Sequence, residues 1–180
     1  MKSYTYLKTE LLGELLLVAK STHLVGIYFP NHKCGPKLPG DWELDPGHPV
    51  LRQAGKEIQE YLAGKRISFS VPISSEGTDF QREIWRQIAL IPFGQTITYS
   101  ELARRARAPK AVRAAGAATG RNPLGIIVPC HRVIGKNGSM TGFAGGLERK
   151  KSLLKIESAP IIQLAKRKGI RPNGNRFASA

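Results

Sequence analysis

The sequence predicts an α+β fold, with a small strand-and-helix unit followed by a mostly helical, winged-helix-like unit. Three observations carry that expectation. Short β-prone runs separated by turns fill the first third of the chain. Apolar residues then recur at helical spacing from about residue 78 onward. Two short helices follow one another closely enough to form a helix-turn-helix.

The elements follow in order. "SYTYLKT" (3–9), "ELLLVAK" (14–20) and "HLVGIYF" (23–29) read as a meander of strands. Residues 31–49 are rich in Pro and Gly and read as a loop. Residues 50–65 place Val50, Leu51, Ala54, Ile58, Tyr61 and Leu62 at helical spacing. "RISFSVP" (66–72) reads as one more strand and 73–78 as a linker. "TDFQREIWRQIALI" (78–91) sets Phe80, Ile84, Trp85, Ile88 and Ala89 on one helical face, with Thr78 or Asp79 as cap. "YSELARRAR" (99–107) starts a helix at the cap Ser100, and "PKAVRAAGAATG" (109–120) opens with proline and closes with glycine. "GLERKKSLLKIE" (146–157) repeats Leu147, Lys150, Leu153, Leu154 and Glu157 at helical spacing. The expected organisation is a structural unit at 1–72, a linker at 73–78, a second unit at 79–157 and a basic tail at 158–180.

Composition narrows the function classes. The 180 residues carry 28 Lys and Arg against 13 Asp and Glu, a net charge of +15 that favours a polyanionic partner, above all nucleic acid. Arg104, Arg105, Arg107, Lys110 and Arg113 fall in one stretch without an acid, and the tail adds Lys166, Arg167, Lys168, Arg171 and Arg176. The apolar run 11–19 is broken by Gly13 and Glu14, too short to span a membrane, and no cleavable leader precedes it. Cys34 and Cys130 suggest no disulfide framework, so the expected setting is the reducing cytoplasm.

The chemistry concentrates in "IIVPCHRVIG" (126–135). Cys130 is either a small buried residue, a metal ligand or a nucleophile. A metal site with Cys34, His23, His32 or His48 matches no compact zinc spacing. A nucleophilic thiol needs a base or a positive environment, because its ordinary pKa is about 8.5. His131 is adjacent, but neighbours in an extended chain point to opposite faces. A turn or a bridging water must therefore join them, and His131 needs an orienting acceptor, for which Glu157 is a candidate. A buried cysteine beside a surface histidine remains the competing explanation on these residues alone.

The flanks add specificity. "RNPLGIIVPCHRVIGKNGSMTGFAGGLERKKSLLKIE" (121–157) closely resembles the active-site region of the methylated-DNA–protein-cysteine methyltransferases, the O6-alkylguanine-DNA alkyltransferases. "FGQTITYSELA" (93–103) and "AVRAAGAATGRNP" (111–123) match that family's helix-turn-helix. The resemblance implies a one-time transfer of an alkyl group from O6 of guanine, with O4 of thymine as a second candidate, to Cys130. It gives His131 the role of base through a water, Glu157 that of holding the imidazole, Asn122 that of bracing the cysteine turn, and Tyr99 that of proton donor near N3 of the departing base. A stacked base cannot reach a buried sulfur, so it must be flipped out. The resemblance places Arg113 in the gap and lets Ala114 and its small neighbours approach the minor groove, with Lys110, Arg104 and Arg105 on phosphates. Val128, Pro129, Phe143 and Ala144 line the implied pocket. Phe143 stands where tyrosine is usual and Ala144 where some members have serine, so hydrogen bonds to O6 from this loop must come from backbone. The implied partner is double-stranded DNA carrying O6-alkylguanine, bound by a monomer able to cluster cooperatively. No cofactor, metal or membrane is implied. A lesion-binding relative without the cysteine, a regulator with a cysteine-rich metal domain and a cysteine hydrolase fit less well.

Overall fold

A computed structural model of the chain describes residues 1–30, 35, 36, 38 and 40–158. Three strands, β1 (Lys2–Thr9), β2 (Gly13–Lys20) and β3 (His23–Tyr28), form the predicted antiparallel meander. Thr9 closes the first hairpin: its Oγ1 accepts from Leu12 N–H at 3.0 Å and donates to Gly13 C=O at 2.8 Å. Gly13 has φ of 80°, which a Cβ-bearing residue adopts only with strain. A short fourth strand, β4 (Trp42–Leu44), pairs parallel with β1 inside a segment that reads as loop. The sheet order is β3-β2-β1-β4.

Helix α1 (Pro49–Leu62) starts at a proline, whose missing N–H costs nothing in a first turn. It lies across the sheet, and a Cβ on Gly55 would stand 3.6 Å from Leu7 and 4.0 Å from Leu17. Residues 66–72 do not form the expected strand. Their donors go elsewhere: the Glu57 carboxylate of α1 accepts Ser70 N–H at 2.8 Å, Val71 N–H at 3.2 Å and the Ser70 hydroxyl. Ile73, just past this segment, bridges the sheet against Leu24 on the outer edge of β3.

Helix α2 (Asp79–Ala89) is capped by Thr78, whose side chain and that of Gln81 satisfy each other's backbone N–H in a capping box. Its Ile84, Trp85, Ile88 and Ala89 are buried as the periodicity predicts. Helix α3 (Tyr99–Arg105) is capped by Thr98 rather than Ser100: Thr98 Oγ1 accepts from Glu101 N–H at 3.1 Å. Helix α4 (Val112–Gly120) begins after Ala111, so Pro109 belongs to the preceding turn and residues 106–111 separate the two helices. Trp85 of α2 reaches across to α4, donating from Nε1 to Ala118 C=O at 2.8 Å. A two-stranded parallel sheet pairs β5 (Ile97–Thr98) with β6 (Val133–Ile134), and α5 (Leu147–Ser158) closes the described chain. One apolar core runs through both halves, from Leu12 to Leu153. Among the described residues no helix is long and apolar enough to cross a membrane. The basic residues of the tail beyond 158, with Cys34 and His32, lie outside the described residues.

Candidate active site

The segment from Asn122 to Arg132 is held from two sides. On one side β3 grips it: Ile27 N–H donates to Pro123 C=O at 2.7 Å, and Ile27 bridges Leu124. On the other, the buried Asn122 side chain spans its own turn, donating from Nδ2 to Val128 C=O at 2.8 Å and accepting Leu124 N–H at Oδ1, 3.0 Å. Ile126 sits between them with φ of 75°. A β-branched residue there is strained, and the surrounding bonds keep it so. Asn122→Ala leaves the buried Leu124 N–H without its acceptor and removes one of two donors from Val128 C=O, which keeps Cys130 N–H at 2.8 Å; the loss costs about 1–3 kcal/mol. Chemical denaturation should show that loss, and alkyl uptake should slow with it.

Cys130 and His131 lie in a 3-10 turn (Cys130–Arg132), not in an extended strand. Cys130 is 5% exposed, near the surface but covered. Burial pushes its thiol pKa up; the Asn122 side chain, the Lys150 charge and backbone N–H groups oppose that without overcoming it. The sulfur therefore rests as a thiol and needs a base.

His131 is fully buried. Its Nε2 lies 2.9 Å from Glu157 Oε1, the candidate acceptor on the following helix. Burial pulls the imidazole pKa down against the pull of Glu157, so the ring is neutral at pH 7. Its Nδ1 has no hydrogen-bond partner among the described residues. With Nε2–H donating to Glu157, Nδ1 is the free basic atom.

Glu157 collects more donors than His131. Arg132 donates from Nη2 to Oε1 at 2.8 Å and from Nε to Oε2 at 3.0 Å. Tyr61 of α1 donates to Oε1 at 2.6 Å, and Gly94 N–H to Oε2 at 3.1 Å. Burial alone would raise the carboxyl pKa, but His131 and Arg132 outweigh it and hold it at about 2. Arg132 is buried, not a surface cation, and donates its remaining Nη1 to Ile91 C=O at 2.6 Å.

Tyr99, half-buried at the start of α3, donates to Thr141 C=O at 3.1 Å and Gly142 C=O at 3.2 Å. Burial, with the nearby Cys130, raises its pKa, so it keeps its proton. Phe143 packs edge-on against Phe29 of the N-terminal unit, centroids 5.3 Å apart, and Ala144 beside it is half-buried. Val128 and Pro129 are buried directly before the cysteine. Lys150 escapes any functional assignment from sequence. Its ammonium is buried and donates to Val133 C=O at 2.6 Å and Thr141 C=O at 2.9 Å. A lysine at a core position of α5 was the available signal.

Two family models match the chain: the 6-O-methylguanine DNA methyltransferase DNA binding domain over residues 79–159, and the ribonuclease-like domain of the same methyltransferase over residues 2–75. The chain belongs to the 6-O-methylguanine DNA methyltransferase family. It is similar to the methylated-DNA–protein-cysteine methyltransferase of Methanosarcina acetivorans, 42% identical over 148 residues, 82% of this chain and 94% of the relative. That of Haemophilus influenzae is 40% identical over 160 residues, 88% of each chain. Among solved structures, Mycobacterium tuberculosis OGT in complex with DNA superposes with a TM-score of 0.80 at 36% identity, covering 91% of this chain and 99% of that one. As a family member the chain is a DNA-repair methyltransferase with a DNA-binding half.

In that half, Lys110, Arg113 and Ala114 are exposed near and on α4, while Ala115, Ala118 and Thr119 face the core. Only part of the small-residue run therefore faces outward. Gly116 lies over the Tyr99 ring, where a Cβ would stand 3.8 Å from it. Arg104 and Arg105 both bind Glu101, each at 2.8 Å, and their hydrogen bonds hold that carboxyl at about 2.

Proposed function

We propose that the chain repairs DNA by moving one alkyl group from O6 of a flipped guanine to Cys130 Sγ, once per molecule. The observation that carries this is the neutral, buried His131, tied through Nε2 to Glu157 and unpartnered at Nδ1, next to a cysteine held as thiol. A water between Sγ and Nδ1 takes the thiol proton to the imidazole, and Glu157, held in place by Arg132, stabilises the imidazolium that forms. The thiolate attacks the alkyl carbon; the S–C bond forms as the C–O6 bond breaks. Its electron pair passes into the guanine ring, which takes up one proton, balancing the one lost from sulfur. Tyr99, which keeps its proton, is the donor for that step near N3.

Arg113 fills the space the base leaves, and the exposed Ala114 lets α4 approach the minor groove closely. Lys110, Arg104 and Arg105 engage phosphates, the two arginines exchanging Glu101 for the backbone. The protein acts as a monomer in the cytoplasm. Incubation with duplex DNA carrying O6-methylguanine should add one methyl mass to the Cys130 peptide. Repeated turnover, or a methyl on any other residue, would refute the proposal.

Alkylation also has a mechanical consequence. Cys130 is packed among buried residues, and an added methyl must displace neighbours. Overpacking of this kind costs about 1–3 kcal/mol. The methylated protein should melt several degrees below the free protein in a thermal scan, and ethylated protein lower still.

A further inference from the structure

Beside the grip of β3 on the cysteine segment, the N-terminal unit brings a hydroxyl to the reactive centre. Tyr61 lies on α1, with no exposed surface, and its ring is wedged against Phe69 at 5.3 Å and Phe93 at 6.0 Å between centroids. A phenol so placed needs one hydrogen-bond acceptor. It takes Glu157 Oε1 at 2.6 Å, the same oxygen that holds His131 Nε2. The separation from Nε2 itself is 3.4 Å, long beside 2.6 Å, so the hydroxyl donates to the carboxylate.

We propose that Tyr61 is a positioning residue of alkyl transfer: its hydroxyl shares Glu157 Oε1 with His131, so that the imidazole keeps its proton on Nε2 and presents an unprotonated Nδ1 to the Cys130 side. The inference rests on the proposed transfer to Cys130.

The balance of charge gives the sign. His131 faces Glu157 and Lys150 of α5, Arg132 and Cys130 of its own turn, and Tyr61 of α1. Glu157 favours the imidazolium; Arg132 and Lys150 oppose it. Tyr61 keeps its proton, burial first and the Glu157 charge second raising its pKa well above the ordinary value. It therefore always donates, and each donor on Oε1 leaves less negative charge for His131. Without the hydroxyl, Glu157 holds the imidazolium more tightly and the His131 pKa rises. A larger fraction of the protein is then protonated at Nδ1 near neutral pH and cannot take the thiol proton.

The test uses the full chain and a methyl-labelled O6-methylguanine duplex under single-turnover conditions across the acid and neutral range. In Tyr61→Phe the acid limb of the rate profile should move to higher pH. The rate should fall several-fold near pH 7 and converge on the unmodified protein in alkali. Phe69→Leu loosens the same ring without touching the hydroxyl, so it should lower the melting temperature and leave the limb in place. A ring-fluorinated tyrosine at position 61, a stronger donor of similar shape, should move the limb to lower pH. That measurement decides the matter even if Tyr61→Phe fails to fold. An unmoved limb in Tyr61→Phe or the fluorinated protein overturns the proposal, as does an equal shift in Phe69→Leu. If the unmodified protein transfers no methyl, the functional reading fails by itself. The His131 titration followed by NMR then judges Tyr61, and an unmoved titration in Tyr61→Phe overturns it.

Discussion

Cys130→Ala takes up no alkyl group from O6-methylguanine DNA, where the unmodified protein takes up one, and it still binds the duplex. The sulfur is the atom that forms the new bond, and among the described residues Cys130 is the free cysteine. Serine does not substitute. Its hydroxyl is a harder nucleophile whose proton His131, itself held below its ordinary pKa, does not remove. The residues proposed to meet DNA lie on and between α3 and α4 and are untouched by the substitution, so affinity for the duplex should change little. The alanine side chain fits the same covered space, 5% exposed in the parent, so the melting temperature should stay within a few degrees. Mass spectrometry reads the transfer and a gel shift reads the binding. A Cys130→Ala protein that still acquires methyl would place the acceptor elsewhere and end the mechanism.

Legibility in the sequence followed the range over which each feature is decided. The meander, α1 and α2 were readable because alternation and helical periodicity are local and the burial they predict is strong. Segment 66–72 misled because its fate depends on Glu57, a residue on another element that captures its backbone donors. The cap of α3 misled because Thr98 and Ser100 offer the same chemistry two residues apart, and only the backbone before Tyr99 selects Thr98. In the site, Cys130, His131, Asn122 and Glu157 were legible through a motif whose spacing is distinctive. Tyr61 was not, because it meets Glu157 across 96 positions and looks like any apolar helix residue. Arg132 stands two residues past the thiol in the sequence, but its charge is spent on Glu157. Positive φ at Ile126 had no local signal at all, since nothing in "LGIIVP" (124–129) asks for it.

Glu157 is where stability and chemistry meet, and its replacement should show both losses. Glu157→Ala strands the buried Arg132 guanidinium and removes the acceptors of His131, Tyr61 and Gly94. Breaking a buried pair from one side costs about 3–5 kcal/mol. For a chain of this size that lowers the melting temperature by roughly 10 °C or more. Transfer should fall by about 100-fold or more, because the base loses its orientation and its counter-charge together. Glu157→Gln separates the two effects. It keeps the shape and one of the two acceptor oxygens but not the charge, so it should fold better than the alanine variant and still transfer slowly. The acid dependence distinguishes charge from shape. Glu157 has an ordinary value of 4.5 and about 2 in the folded protein, a depressed pKa. Its stabilising contribution is therefore complete above 4.5 and disappears as pH falls toward about 2. Unfolding measured through that window should show the unmodified protein losing stability more steeply than Glu157→Gln, which has no proton to take up there. If both proteins lost stability in parallel, the carboxylate would not be the charge that binds His131 and Arg132 together, and the base would have to be oriented by Tyr61 and the packing around it alone.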